Sequence, residues 1–140
     1  MRILRLTIDG FGPLKGRWDF DRDKLCLLVD DNERGKSTLL AAITAGLYGL
    51  DDDKRTHRVM TPLDRWRPWL GGPYRLELDV DAGDERYSIR RDFEANTVQV
   101  MNARGQDVTN DFRHGKDEYR VGHKLLGLDA EEFEKCALVR

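Results

Sequence analysis

The chain is 140 residues long, 36% Asp, Glu, Lys and Arg and 39% apolar, with a formal net charge of -2. That length suits one domain with a core of its own, and the near balance of charge excludes nucleic-acid binding driven by global charge, leaving only a local patch. Cys26 and Cys136 have neither metal nor redox spacing, no window reaches transmembrane length, and no charged-then-apolar leader opens the chain, so a cytoplasmic location without membrane contact is expected.

Ile3 to Ile8 alternate, with Leu4, Leu6 and Ile8 on one face and Arg5 and Thr7 on the other, the pattern of a half-buried strand. Asp9-Gly10-Phe11-Gly12-Pro13 is dense in turn formers, and a short second strand follows through Trp18 and Phe20. After Asp21-Arg22-Asp23, the run Leu25 to Val29 is apolar on both faces, as a central strand covered on each side would be.

That run leads into Asp30-Asp31-Asn32-Glu33-Arg34-Gly35-Lys36-Ser37-Thr38 and then an apolar-periodic segment, so the order is strand, loop, helix. In that context Gly-Lys-Ser-Thr reads as a Walker A phosphate loop. Backbone N–H groups of the turn and of the helix's first turn would converge on an anion, Lys36 would add a mobile positive charge, and the Ser37 hydroxyl would be a hard ligand for Mg²⁺. The full pattern has glycine where this chain has Asp30, and Asp31 and Glu33 add two more carboxylates to a loop meant for a polyanion. Gly-Lys-Ser/Thr by itself would arise by accident in about one chain in ten of this size, so its place between strand and helix carries the reading.

Leu39, Leu40, Ile43 and Leu47 recur at helical spacing, which predicts a helix from Lys36 to Leu47, small on its remaining face and ended by Gly49 and Asp51-Asp52-Asp53. Residues 51–73 have no period and interleave basic side chains with Trp66 and Trp69. Arg55, Arg58, Arg65 and Arg67 are the candidates there for phosphate or DNA contacts, against the commoner case of a solvated loop with a tucked-in tryptophan; His57 has no second ligand at useful spacing. From 74 to 106 the period changes to two, with Tyr74, Leu76, Leu78 and Val80, then Tyr87, Ile89 and Phe93, then Val98 and Val100, which predicts an antiparallel meander with one wet face. Arg86, Arg90 and Arg91 are read as edge decoration. Asp129 and Glu132 fit a capping box ahead of a helix that carries Phe133 and Ala137 inward, and Leu138-Val139 looks like a strand beginning as the chain stops, which suggests half a domain.

A small GTPase would also need Asp-x-x-Gly and Asn-Lys-x-Asp segments, but Val80 stands where the first would have its Asp and the second is missing. A nucleoside kinase usually places its loop after the first strand, whereas two strands precede it here. A third pattern fits better. Ile8-Asp9-Gly10-Phe11-Gly12, Trp18-Asp19-Phe20 and Asn32 with Gly35-Lys36-Ser37-Thr38 resemble the N-terminal ATPase segment of SMC-like coiled-coil ATPases, among them the double-strand-break repair ATPase and related bacterial AAA-type proteins. Leu126-Gly127-Leu128-Asp129, Phe133 and Cys136-Ala137-Leu138-Val139-Arg140 are similar to that family's approach to its Q-loop.

The resemblance implies an α/β fold, a P-loop NTPase half-head of ABC-ATPase type with an antiparallel β-meander subdomain. The 140 residues would be one nucleotide-binding lobe of a longer chain: residues 1–50 carrying the P-loop, 51–73 the basic and aromatic loop, 74–106 the meander and 107–140 the Q-loop approach. ATP would be held by Asn32, Glu33, Arg34, Gly35, Lys36, Ser37 and Thr38, with Mg on Ser37. The implied partners are the protein's own C-terminal ATPase half, a second head in a homodimer, DNA and a nuclease subunit; a bacterial protein would be nucleoid-associated. The implied function is ATP hydrolysis in double-strand-break repair or chromosome maintenance, only once the head is complete and dimerised, so this chain alone would be inactive. Two alternatives stay open: a degenerate nucleotide-binding regulatory head, and a non-enzymatic nucleic-acid or protein interaction module.

Overall fold

The structure, a computed structural model, describes residues 1–20, 33–51, 60–115 and 118–138, except for the side chains of 33–37, 134 and 136–138. The expected central strand Leu25 to Val29 lies outside the described residues, as do Arg55 and Arg58.

The first alternating run forms β1 (Arg2–Phe11), longer than expected because the chain stays extended through Asp9 and Gly10 and turns only at Gly12 and Pro13. Gly12 takes φ 54, a conformation that a side chain would strain, and β2 (Leu14–Asp19) returns antiparallel from it. The register of β1 against its other neighbour shifts between Ile3 and Arg5, a bulge at Leu4. The bulge corrects the expected face, since Ile3, Leu6 and Ile8 are buried and Leu4 only partly so.

The period-two stretch gives β3 (Arg75–Ala82), β4 (Glu85–Asp92) and β5 (Thr97–Asn102), joined as consecutive antiparallel pairs. They do not form a subdomain apart. Strand β3 pairs along β1, with Leu6 opposite Leu78 and Ile8 opposite Leu76, so all five strands make one antiparallel sheet in the order β2-β1-β3-β4-β5. One face carries ion pairs between neighbouring strands: Arg5 with Asp19 at 2.8 Å, Arg75 with Asp9 at 2.6 Å and Arg90 with Glu77 at 2.5 Å. The other face carries Leu6, Ile8, Leu76, Leu78, Val80, Ile89 and Val100, each essentially without solvent contact and each contributing about 1.5–3 kcal/mol through burial.

Across that apolar face lies α1 (Glu33–Tyr48), with Ala42, Ile43, Ala45 and Leu47 buried. Gly46 faces the sheet where a Cβ would come within 3.1 Å of Leu76 and 3.3 Å of Leu78, so the missing side chain sets how closely helix and sheet approach. The other side of α1 is covered by α3 (Val121–Leu126) and α4 (Ala130–Leu138), while α2 (Pro62–Arg65) is a single turn inside the aperiodic stretch.

Helix α3 has no counterpart among the elements expected from the sequence. Six residues are too few to display a period, and it closes on Gly127 at φ 69, whose N–H donates to the His123 carbonyl at 2.7 Å. The capping box is formed: the Glu132 N–H donates to the Asp129 carboxylate at 2.8 Å and the Asp129 N–H to Glu132 at 3.2 Å. Leu138 is the last residue of α4 and not the start of a strand.

Candidate functional site

Helix α1 begins at Glu33, three residues before the expected start at Lys36, so Glu33, Arg34 and Gly35 are helical and not loop, and with Lys36, Ser37 and Thr38 they fill its first two turns, while Asn32 and the residues just before it lie outside the described residues. The opening N–H groups of a helix have no partner within it, which here means those of Glu33, Arg34 and Gly35, and a helix start of this kind is where an anion can be received. The side chains of Lys36 and Ser37 lie outside the described atoms, and among the described residues no cluster of His, Cys, Asp and Glu could hold a metal.

The far end of the helix is anchored from three directions. Arg91 of β4 reaches under the sheet face and donates from Nε to the Gly46 carbonyl at 3.0 Å and from an Nη to the Leu47 carbonyl at 3.1 Å. It thereby satisfies two of the orphan carbonyls that every helix leaves at its C-terminus, with its cation against the negative end of the dipole. Burial lowers this guanidinium to about 10, still charged at neutral pH, and no carboxylate pairs with it among the described residues. Arg91 is therefore not edge decoration. The signal was in the sequence, because Tyr87, Ile89, Arg91 and Phe93 alternate and Arg91 stands on the same face as the other three.

Tyr48 forms the second anchor. Its hydroxyl donates to the Leu128 carbonyl at 2.7 Å, its ring lies 6.0 Å from that of Phe133, and Gly122 passes directly beneath it. Burial first, then Asp129 and Glu132, pushes the Tyr48 hydroxyl up to about 12. The sheet supplies the third anchor through the contact at Gly46.

The aromatic loop is built onto the turn between β1 and β2. Gly12 donates its N–H to the Trp66 carbonyl at 2.7 Å and accepts from the Trp69 N–H at 3.0 Å. Trp66 stacks on buried Phe11 with ring centroids 5.2 Å apart and 15° between planes, which makes it the tucked-in tryptophan; Trp69 is 71% exposed. Arg65 lies over the Trp66 ring at 5.1 Å. Arg67 is held by Asp64 at 3.3 Å and Glu94 at 2.8 Å, and these partners keep its guanidinium above the usual range, the hydrogen bond to Asp64 first. Of the four candidate arginines, the structure thus places Arg65 and Arg67 on one loop, with the charge of Arg67 already balanced by two carboxylates.

A family model described as an AAA domain matches residues 1–64, from β1 through α1 and into α2. It supports an AAA-type, nucleotide-binding and ATPase-like segment at the N-terminus and stops short of β3, β4, β5, α3 and α4. No curated protein and no solved structure matches the chain. Among the described residues no helix is long and apolar enough to cross a membrane.

Proposed function

We propose that this chain is the ATP-binding lobe of an SMC-like ATPase with an ABC-type head, a P-loop half-head completed by a C-terminal half and by a second head. The observation that carries the reading is Gly35-Lys36-Ser37-Thr38 at the opening of a helix pinned against a sheet, inside the segment that matches an AAA domain. The backbone N–H groups at the start of α1 would hold the phosphates, Lys36 would serve the β and γ phosphates, the Ser37 hydroxyl would hold Mg²⁺, and Thr38 would serve the α phosphate. The chemistry that Mg²⁺ would supply there is neutralisation of phosphate charge. Hydrolysis waits on groups that orient the attacking water, supplied by the remainder of the head. The proposed service of that cycle is DNA repair or chromosome maintenance, with DNA and a nuclease subunit as partners.

Calorimetry of the 140-residue chain with Mg-ATP tests this. Saturable binding that Lys36→Ala abolishes and Ser37→Ala weakens only when Mg²⁺ is present supports it; no binding by the parent, or parent-like binding by Lys36→Ala, refutes it. A second reading has its own observation, the carboxylates of Asp30, Asp31 and Glu33 around the loop. A degenerate head would bind nucleotide and yet show no turnover when combined with its C-terminal half and DNA.

A further inference from the structure

The three anchors of α1 differ in what they resist. Apolar packing on Leu76 and Leu78, close at Gly46, holds the helix down on the sheet, but burial is non-directional and singles out no backbone atom. The Tyr48 hydroxyl is bonded to Leu128, on the short connection between α3 and α4. Among the described residues Arg91 alone joins the helix backbone directly to a strand in the interior of the sheet, through two donors of one planar group, at 3.0 and 3.1 Å, on consecutive carbonyls. A planar fork on two adjacent carbonyls defines both rotation and position along the axis.

We infer that Arg91 is the positioning residue of the phosphate-binding helix, setting from β4 how far its opposite end projects toward the nucleotide. This rests on the proposed reading of α1. The helix has 16 residues, a rigid rod about 24 Å long at 1.5 Å per residue, so a slip at Gly46 and Leu47 is carried undiminished to Gly35 and Ser37. A displacement of about 1 Å in a positioning element is enough to change the strength of a preorganised site by one to two orders of magnitude.

The test compares Mg-ATP affinity with fold stability in the 140-residue chain, measured well below the unfolding temperature. Arg91→Ala is expected to keep the circular dichroism of the parent and to bind Mg-ATP at least tenfold more weakly. Low-millimolar guanidinium chloride, but not sodium chloride, is expected to recover most of that loss. Should Arg91→Ala fail to fold, Arg91→Lys serves instead: it keeps the cation but cannot span two carbonyls in one plane, and its affinity is expected to fall between parent and tenfold loss. A parent-like affinity in folded Arg91→Ala or in Arg91→Lys, with only the unfolding midpoint lowered, overturns the inference and leaves the ATP reading standing. No Mg-ATP binding by the parent overturns that reading first and the inference with it.

Discussion

Replacing Gly122 by alanine sets two effects of opposite sign against each other, and the geometry decides between them. In a helix alanine is favoured over glycine by up to about 1 kcal/mol, so an open site would be stabilised. Here the new Cβ would stand 2.6 Å from Cε1 and Cζ of Tyr48 and 2.9 Å from Cδ1, where ordinary contact begins at 3.4 Å. The ring cannot simply retreat, because its hydroxyl is bonded to Leu128 at 2.7 Å and Phe133 lies alongside. Overpacking of this kind costs about 1–3 kcal/mol, and breaking the tyrosine bond adds about 1 kcal/mol. The expected net is destabilisation of about 1–3 kcal/mol, read as a lower midpoint in urea at unchanged slope. The decisive comparison is made in a Tyr48→Ala background, where the ring is gone: there Gly122→Ala should become neutral or stabilising, a coupling of about 2 kcal/mol between the sites. Stability equal to the parent in the single variant, or the same loss in both backgrounds, would refute the reasoning.

Three further outcomes follow from the packing. Asp129→Ala removes one half of the reciprocal cap on α4 and should lower stability by about 1 kcal/mol, with Asp129→Asn close to the parent, as read by urea unfolding and by amide exchange in α4. Trp66→Ala strips the stack on Phe11 and should cost about 3 kcal/mol, whereas Trp69→Ala, at a side chain 71% exposed, should stay within about 0.5 kcal/mol; the reverse order in a denaturation series would reject the loop packing. The Tyr48 hydroxyl, raised from 10 to about 12 in the folded chain, contributes stability that is whole below pH 10 and is lost as pH climbs through 12, so Tyr48→Phe should flatten the alkaline fall in the urea midpoint.

What was legible in the sequence was what depends on neighbours along the chain. Alternation in β3, β4 and β5, the small and apolar periods of α1, and the cap at Asp129 are local properties, and the folded chain follows them. The pairing of β1 with β3 was not legible, because alternation says that a strand has an apolar face and nothing about which strand lies beside it. Leu138 was misread for a related reason: an apolar pair with no flanking period fits a helix end as well as a strand start. Arg91 was misread despite a visible pattern. Residue type outweighed position, although a buried guanidinium becomes acceptable once orphan helix carbonyls lie within reach. At the candidate site the proposed phosphate-loop motif is a sequence reading in contiguous residues, and the sequence alone could not say that its helix starts as early as Glu33. The arginines of the aromatic loop could not be weighed from the sequence, since Glu94, which holds Arg67, arrives from the turn between β4 and β5.

That last contact decides how the proposed DNA partner could use the loop. On the outer sheet face Arg5, Arg75 and Arg90 are each paired with a carboxylate, so the face presents alternating signs and no stripe of positive potential for a phosphate backbone. In the loop, Arg67 stands between Asp64 and Glu94, while Arg65 pairs with no carboxylate among the described residues and rests on Trp66. The two substitutions are therefore unequal. Arg65→Ala removes one cation and frees no anion, so DNA binding through this loop should weaken modestly, with the slope of log affinity against log salt smaller by about 1. Arg67→Ala also uncovers two carboxylates, so its loss at low salt should exceed that of Arg65→Ala and shrink fastest as salt rises. Adding Asp64→Asn and Glu94→Gln to Arg67→Ala should recover part of the affinity, because the repulsion disappears though the cation does not return. Binding indifferent to both arginines would remove the loop from any DNA contact; equal losses, unrelieved by the two carboxylate substitutions, would show that Arg67 reaches phosphate directly and that its ion pairs open on binding.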